Sequence, residues 1–106
     1  MRKEDILDSL EFKKAPNEAV IKYIQADERC FPLGNVEKSD GKRKVIYWNA
    51  SSSCVAITKE ELLRSVDFIR APRSSEILVK FENYNRETWG CDLDYKDGVL
   101  YIRELV

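Results

Sequence analysis

From Thr88 to Val106 apolar and polar residues alternate with period two, and the alternation turns back at Asp97-Gly98. Asp-Gly suits both central positions of a type I′ turn, which need φ > 0, so the segment predicts a hairpin. The turn fixes the register. Tyr95 faces Leu100, Leu93 faces Ile102, Cys91 faces Glu104 and Trp89 faces Val106, which makes one face apolar apart from Glu104 near its end. The opposite face pairs Lys96 with Val99, Asp94 with Tyr101 and Asp92 with Arg103. A one-residue slip would drive Asp92 and Asp94 into the apolar set, so the pattern specifies this pairing strongly.

The preceding stretch, Glu76 to Tyr84, alternates as well, with Ile77, Val79 and Phe81 on one side. Joined through Asn85-Arg86-Glu87, it predicts a third antiparallel strand with Lys80 opposite Asp92 and Leu78 opposite Asp94. Two outer rows result: a charge ladder Lys80–Asp92–Arg103, and a row Leu78–Asp94–Tyr101 in which the acid has no designated cation. Trp89, Cys91 and Tyr95 fall in the expected core.

Helical periodicity marks the rest of the chain. Residues 2–13 predict a helix with Ile6, Leu7 and Leu10 on one face, and acids Glu4, Asp5 and Asp8 favour its N-terminal side. Asn17 is a candidate cap for a second helix, 18–28, although AVIKYIQ is also rich in strand-forming residues. Val36–Lys38 and Lys44–Asn49 predict a hairpin whose VIYW run suits a central strand. Thr58-Lys59-Glu60-Glu61 is a capping box, the firmest helix start in the chain, opening a helix over 59–70 with Leu62, Leu63, Val66 and Ile69 as its buried stripe. The expected architecture is α+β: a largely antiparallel sheet with a C-terminal three-strand meander (about 76–84, 88–96 and 99–105), packed on one face by helices (about 2–13, 18–28 and 59–70). The reading is of one domain, 1–106, with no internal repeat, linker or low-complexity tract.

Composition then removes function classes. The net charge of −1 gives no bulk attraction to nucleic acid or anionic membrane, and no apolar run approaches the ~20 residues of a spanning helix. The first residues lack the apolar core of a secretory signal, and the three cysteines are odd in number and far apart, so the expected compartment is the reducing cytosol. Histidine is absent, which deprives the chain of the usual general base and the commonest transition-metal ligand. The expectation is a non-enzymatic protein with no cofactor and no metal. Cys54 before the Thr58-capped helix and the carboxylates Asp92, Asp94 and Asp97 are the nearest approach to catalytic or metal-binding groups. An inert thiol and surface carboxylates are the simpler assignments.

Two binding surfaces compete. The outer sheet face with Leu78, Glu82, Tyr84, Asp94 and Tyr101 combines rigid aromatic area with carboxylates that steer a basic partner. It suggests a protein-binding protein, in its most specific form an immunity- or antitoxin-like inhibitor of a basic toxin or nuclease, by analogy of size and surface alone. The alternative is a nucleic-acid-binding module using Lys42, Arg43 and Lys44 with Tyr47 and Trp48, residues of the kind that grip single strands. Alternation separates Tyr47 from Trp48, so they form no common stacking platform. A solvated hairpin tip explains that segment more simply.

Overall fold

The computed structural model describes residues 1–39 and 44–105. Four short helices, α1 (Lys3–Asp8), α2 (Leu10–Lys14), α3 (Lys59–Arg64) and α4 (Val66–Arg70), accompany seven strands: β1 (Val20–Ile24), β2 (Cys30–Lys38), β3 (Val45–Ala50), β4 (Glu76–Lys80), β5 (Asn85–Glu87), β6 (Cys91–Lys96) and β7 (Val99–Glu104). They form one mixed sheet in the order β5-β4-β3-β2-β1-β7-β6, with β3–β4 and β7–β1 parallel and the other pairs antiparallel. Among the described residues no helix is long and apolar enough to cross a membrane.

The Asp97-Gly98 hairpin has the expected register from Cys91↔Glu104 to Lys96↔Val99, with φ of 50° at Asp97 and 82° at Gly98. The expected fold around it is overturned. The protein is mostly sheet, curled into a half-barrel, not a largely antiparallel sheet under a helical layer. The expected C-terminal meander does not form, because β4 lies at the far end of the strand order from β6 and pairs with β3 and β5. Leu78 faces Tyr47 and Glu87, and Lys80 faces Asn49 and Asn85, so neither meets the aspartates of β6. Alternation gave the correct faces of β4, β6 and β7 but carries no information on which strand lies beside each.

The expected helix 18–28 is strand β1. Ile21 and Tyr23 are fully buried while Lys22 between them is not, a period of two set by a position between β2 and β7. Strand-forming Val, Ile and Tyr in a central strand outweigh the capping signal at Asn17. Each of the other two expected helices is broken in two, at Ser9 and at Ser65, where the backbone is extended. The Ser9 hydroxyl accepts from the Phe12 amide and so restarts the chain as α2. These breaks rotate the apolar stripe: Leu62 and Phe68 are buried, whereas Val66 and Ile69 are exposed. The Thr58–Glu61 capping box is present with both of its hydrogen bonds.

The breaks also expose a repeat that the sequence reading does not expect. Lys3-Glu4-Asp5-Ile6-Leu7-Asp8-Ser9-Leu10-Glu11-Phe12 matches Lys59-Glu60-Glu61-Leu62-Leu63-Arg64-Ser65-Val66-Asp67-Phe68, and both runs end at Ala-Pro, always 56 residues apart (59 − 3). The structure honours that spacing in its bonds. Lys3 N donates to Ser75 O and Lys59 N to Ala19 O, Glu4 N to Arg73 O and Glu60 N to Asn17 O, Ile77 N to Met1 O and Ile21 N to Ile57 O, each at 2.9–3.0 Å. Every one of these bonds joins the two halves. The buried ammonium of Lys3 donates to the Ile69 and Ala71 carbonyls at 3.1 and 2.9 Å, and that of Lys59 to the Phe12, Lys13 and Ala15 carbonyls at 2.6, 3.4 and 2.9 Å. Each also stands over the other half's phenyl ring, Lys3 5.0 Å from the centre of Phe68 and Lys59 4.7 Å from that of Phe12.

The sheet follows the same symmetry. β2 bends at Leu33–Val36, giving its first residues to β1 and its later ones to β3. The stretch 85–96 does likewise, with β5 against β4 and β6 against β7, joined through Thr88-Trp89-Gly90. Because one bent stretch supplies both ends of the strand order, the sheet curls back on itself around Ile21, Tyr23, Ile46, Trp48, Ile77, Val79, Leu100 and Ile102. Helix α2 packs on β6 and α4 on β2, so the helices serve different parts of the curl.

Replacing Lys59 by Met should remove three charge-assisted bonds and strand buried carbonyls, a loss of roughly 2–3 kcal/mol in urea unfolding, with a smaller loss for Lys3→Met. The exposed Lys96→Met is the reference, and equal midpoints for all three variants would contradict the capping role.

Candidate functional site

The bend that closes the curl also builds the most distinctive surface. Trp89, expected in the core, is 79% exposed at the turn between β5 and β6, its indole N–H donating to Glu87 at 2.7 Å. Leu105 N donates to Gly90 O at 2.9 Å, which carries the β6–β7 ladder past its last named pair and sets Leu105, 59% exposed, beside the bend. Leu10, 79% exposed at the start of α2, adds a third large apolar side chain. A groove of about 490 Å³ lies between Leu10 and Leu105, lined by Glu11, Asp92, Asp94 and Arg103. A smaller hollow lined by Asp5, Ser9, Cys91 and Asp92 connects it to Trp89, and beyond Trp89 a groove of about 440 Å³ is lined by Lys44, Val45, Leu78 and Glu87.

The charges here are not self-neutralised. Arg103, opposite Asp92 in the ladder, reaches to Glu28 at 3.5 Å, and Lys80 reaches to Glu37 at 3.8 Å. The expected Lys80–Asp92–Arg103 ladder is therefore absent. Among the described residues no cation lies within 4.0 Å of Glu87, Asp92 or Asp94. Glu11 differs: it pairs with Lys14 and meets the Tyr95 amide, and the Lys14 bond leads in holding its carboxyl below the usual range.

Inside the sheet, next to this surface, a polar knot interrupts the core. Glu104 accepts hydrogen bonds from the Tyr23 hydroxyl, from Arg86 Nε and Nη2 at 2.9 and 2.6 Å, and from the Ala26 amide at 2.8 Å. Burial alone would raise its pKa, but these donors win and hold the carboxyl below its ordinary 4.5. Burial, reinforced by the Glu104 charge, pushes Tyr23 upward and the Cys91 thiol to about 11. Cys91 is thus a packing group, not a nucleophile, near neutral pH. Tyr84 stacks on Phe81 at 4.8 Å and its hydroxyl accepts from Gln25 at 3.4 Å, closing the knot on its outer side. Sequence reasoning misses this network, although Glu104 was visible as the lone acid on an apolar strand face.

The structure divides the residues expected to form one binding face. Asp94 and Tyr101 remain paired, with Lys22 of β1 as the next neighbour of Tyr101. Leu78 lies in the groove beyond Trp89, Glu82 is exposed in the turn after β4, and Tyr84 is half-covered by its stack on Phe81. Of the alternative set, Lys42 and Arg43 fall outside the described residues. Lys44 is exposed before β3, Tyr47 sits beneath the Lys80 ammonium at 5.5 Å, and Trp48 is buried with its N–H donating to Gly34 O at 2.8 Å. Trp48 is therefore withdrawn from any stacking surface. The Cys54 thiol donates to Pro32 O at 3.1 Å, and among the described residues no three metal-binding side chains cluster.

A depressed carboxyl pKa contributes stability that is complete above the unfolded value and is lost as pH falls through the folded one. Unfolding measured from pH 7 to pH 3 should therefore show Glu104→Gln less stable than wild type by roughly 2 kcal/mol at neutrality, the gap narrowing below about pH 4.5. Parallel curves would refute the assignment. Thiol labelling at pH 7.5 should modify the exposed Cys30 well before Cys91.

Compared with known proteins, the chain matches no family model, no curated protein and no solved structure.

Proposed function

We propose that this is a protein-binding protein whose contact surface is the second-half face of the curled sheet, centred on Leu10, Trp89, Leu105, Asp92 and Asp94. One observation carries the reading: three large apolar side chains stand exposed around Asp92 and Asp94, which have no cation within 4.0 Å among the described residues. Large apolar groups exposed singly are ordinary, but grouped ones rimmed by charge mark interaction surfaces. Buried apolar anchors supply affinity, and unpaired acids steer a cationic partner and set its orientation. The partner class this favours is a basic protein domain. Inhibition of a basic toxin by covering its cationic face is the specific form of that activity, and it asks for no catalytic group. Three free thiols suit a reducing compartment, so we place the protein in the cytosol.

The pseudo-symmetry supplies an internal control. The row Glu37–Tyr47–Leu78 is the symmetry counterpart of Asp94–Tyr101–Lys22, each acid facing a tyrosine of its own half across an antiparallel pair and each tyrosine facing a strand of the other half in parallel. A partner co-purified from native lysate, then isolated and titrated by calorimetry, should bind Asp94→Lys at least ten-fold more weakly and lose affinity as salt is raised. Glu37→Lys should change its affinity less than two-fold. Equal affinity for wild type and Asp94→Lys would reject this surface.

A further inference from the structure

The two halves differ in what covers their bent strand. In the first, residues 53–57 fold over the bend of β2: Ile57 N donates to Leu33 O at 2.8 Å, the Cys54 thiol donates to Pro32 O, and the Val55 carbonyl lies 3.7 Å from where a Cβ on Gly34 would stand. Leu33 beneath them is 0% exposed. The equivalent bend of the second half is Thr88-Trp89-Gly90, between Glu87, which faces Leu78 as Pro32 faces Lys22, and Cys91, which faces Glu104 as Leu33 faces Ala50. There the bend is a surface. Trp89 is open to solvent, a Cβ on Gly90 would meet only the Leu105 carbonyl at 4.0 Å, and grooves run along both sides of the indole.

The first half therefore displays such a bend covered by a loop segment that brings backbone polar groups to it. The second half presents acids at this bend. Glu87 and Asp92 flank Trp89 on either side, neither with a cation within 4.0 Å among the described residues, and Lys44 also lines the groove on the Glu87 side. Carboxylates beside an exposed indole attract an ammonium or guanidinium, which gains from both the charge and the ring face. We propose that the Trp89 face binds an extended cationic peptide segment of a protein partner, laid across Trp89 and Gly90 as residues 53–57 lie across Leu33 and Gly34. This deepens the protein-binding reading and rests on it, naming the element by which the partner docks.

The probe is a fluorescein-labelled seven-residue peptide copying residues 51–57 with Ser52→Lys, Ser53→Lys and Cys54→Ser, compared with a peptide carrying glutamate in place of both lysines. Anisotropy titration of the full chain should show saturable binding of the lysine peptide, at least ten-fold tighter than the glutamate peptide and weakened by salt. An unlabelled copy should perturb the fluorescence of Trp89, since Trp48 is buried. Trp89→Ala should weaken binding at least ten-fold and Glu87→Gln several-fold, with circular dichroism showing both variants folded. Three results would overturn the inference: no saturable binding of either peptide, equal binding by Trp89→Ala, or sedimentation showing that Trp89 holds two copies of the chain together. A captured partner that depends on Asp94 but is indifferent to Trp89→Ala would defeat this inference while leaving the protein-binding reading intact.

Discussion

Two buried lysines hold the molecule together, each satisfying helix-end carbonyls that belong to the other half of the chain. Helices of five residues are too short to persist in water, and their terminal carbonyls lack partners within the helix. Burying an ammonium is costly unless it is well bonded, and the cost shows in Lys3, where desolvation leads in depressing the pKa. The two requirements meet in one contact. Carbonyls that need a donor and a cation that needs acceptors satisfy each other, while the phenyl rings of Phe12 and Phe68 cover the charge. The cation that caps α2 comes from the second half and the one that caps α4 from the first, so each half completes the other's helix ends.

The same reciprocity governs the sheet. The parallel pairs β3–β4 and β7–β1 join one half to the other, whereas the antiparallel pairs formed by the bent strands lie within each half. A bent strand serves two neighbours, and the second bent stretch brings both ends of the strand order together. That arrangement gives the interior its apolar lining without a separate helical layer. The helices can then remain short, because sheet curvature buries the core.

Local chemistry was legible in the sequence, and long-range order was not. Asp97-Gly98 fixed β6–β7 residue by residue, and Thr58–Glu61 fixed the start of α3, because each signal lies within a few residues of what it determines. The neighbours of β4 depend on a parallel crossover through α3 and α4, which alternation does not encode. The repeat was hidden because most of its identities lie in and just after the helical segments: in β1 and β4 Ile21 matches Ile77, but Tyr23 and Gln25 of the first half correspond to Val79 and Phe81 of the second, so the strands read as unrelated. Of the expected binding residues, the pair Asp94–Tyr101 was legible because it lies within the hairpin. Leu78 was joined to it only by the false meander, and Trp89 was assigned to the core because alternation was carried through a bend that ends it.

Symmetry turns these differences between the halves into the most informative residues of the chain. Positions that keep their character, such as Lys3 and Lys59 or Phe12 and Phe68, serve the fold in both places. Divergence at an exposed position has no such role to preserve. Leu33 and Trp89 stand at equivalent bends, yet one is covered and the other is open, with Glu87 and Asp92 beside it. An exposed tryptophan and surface carboxylates add nothing to the closure of the sheet, whose interior is lined by buried apolar side chains. On the proposed reading their chemistry is directed outward, toward a cationic partner.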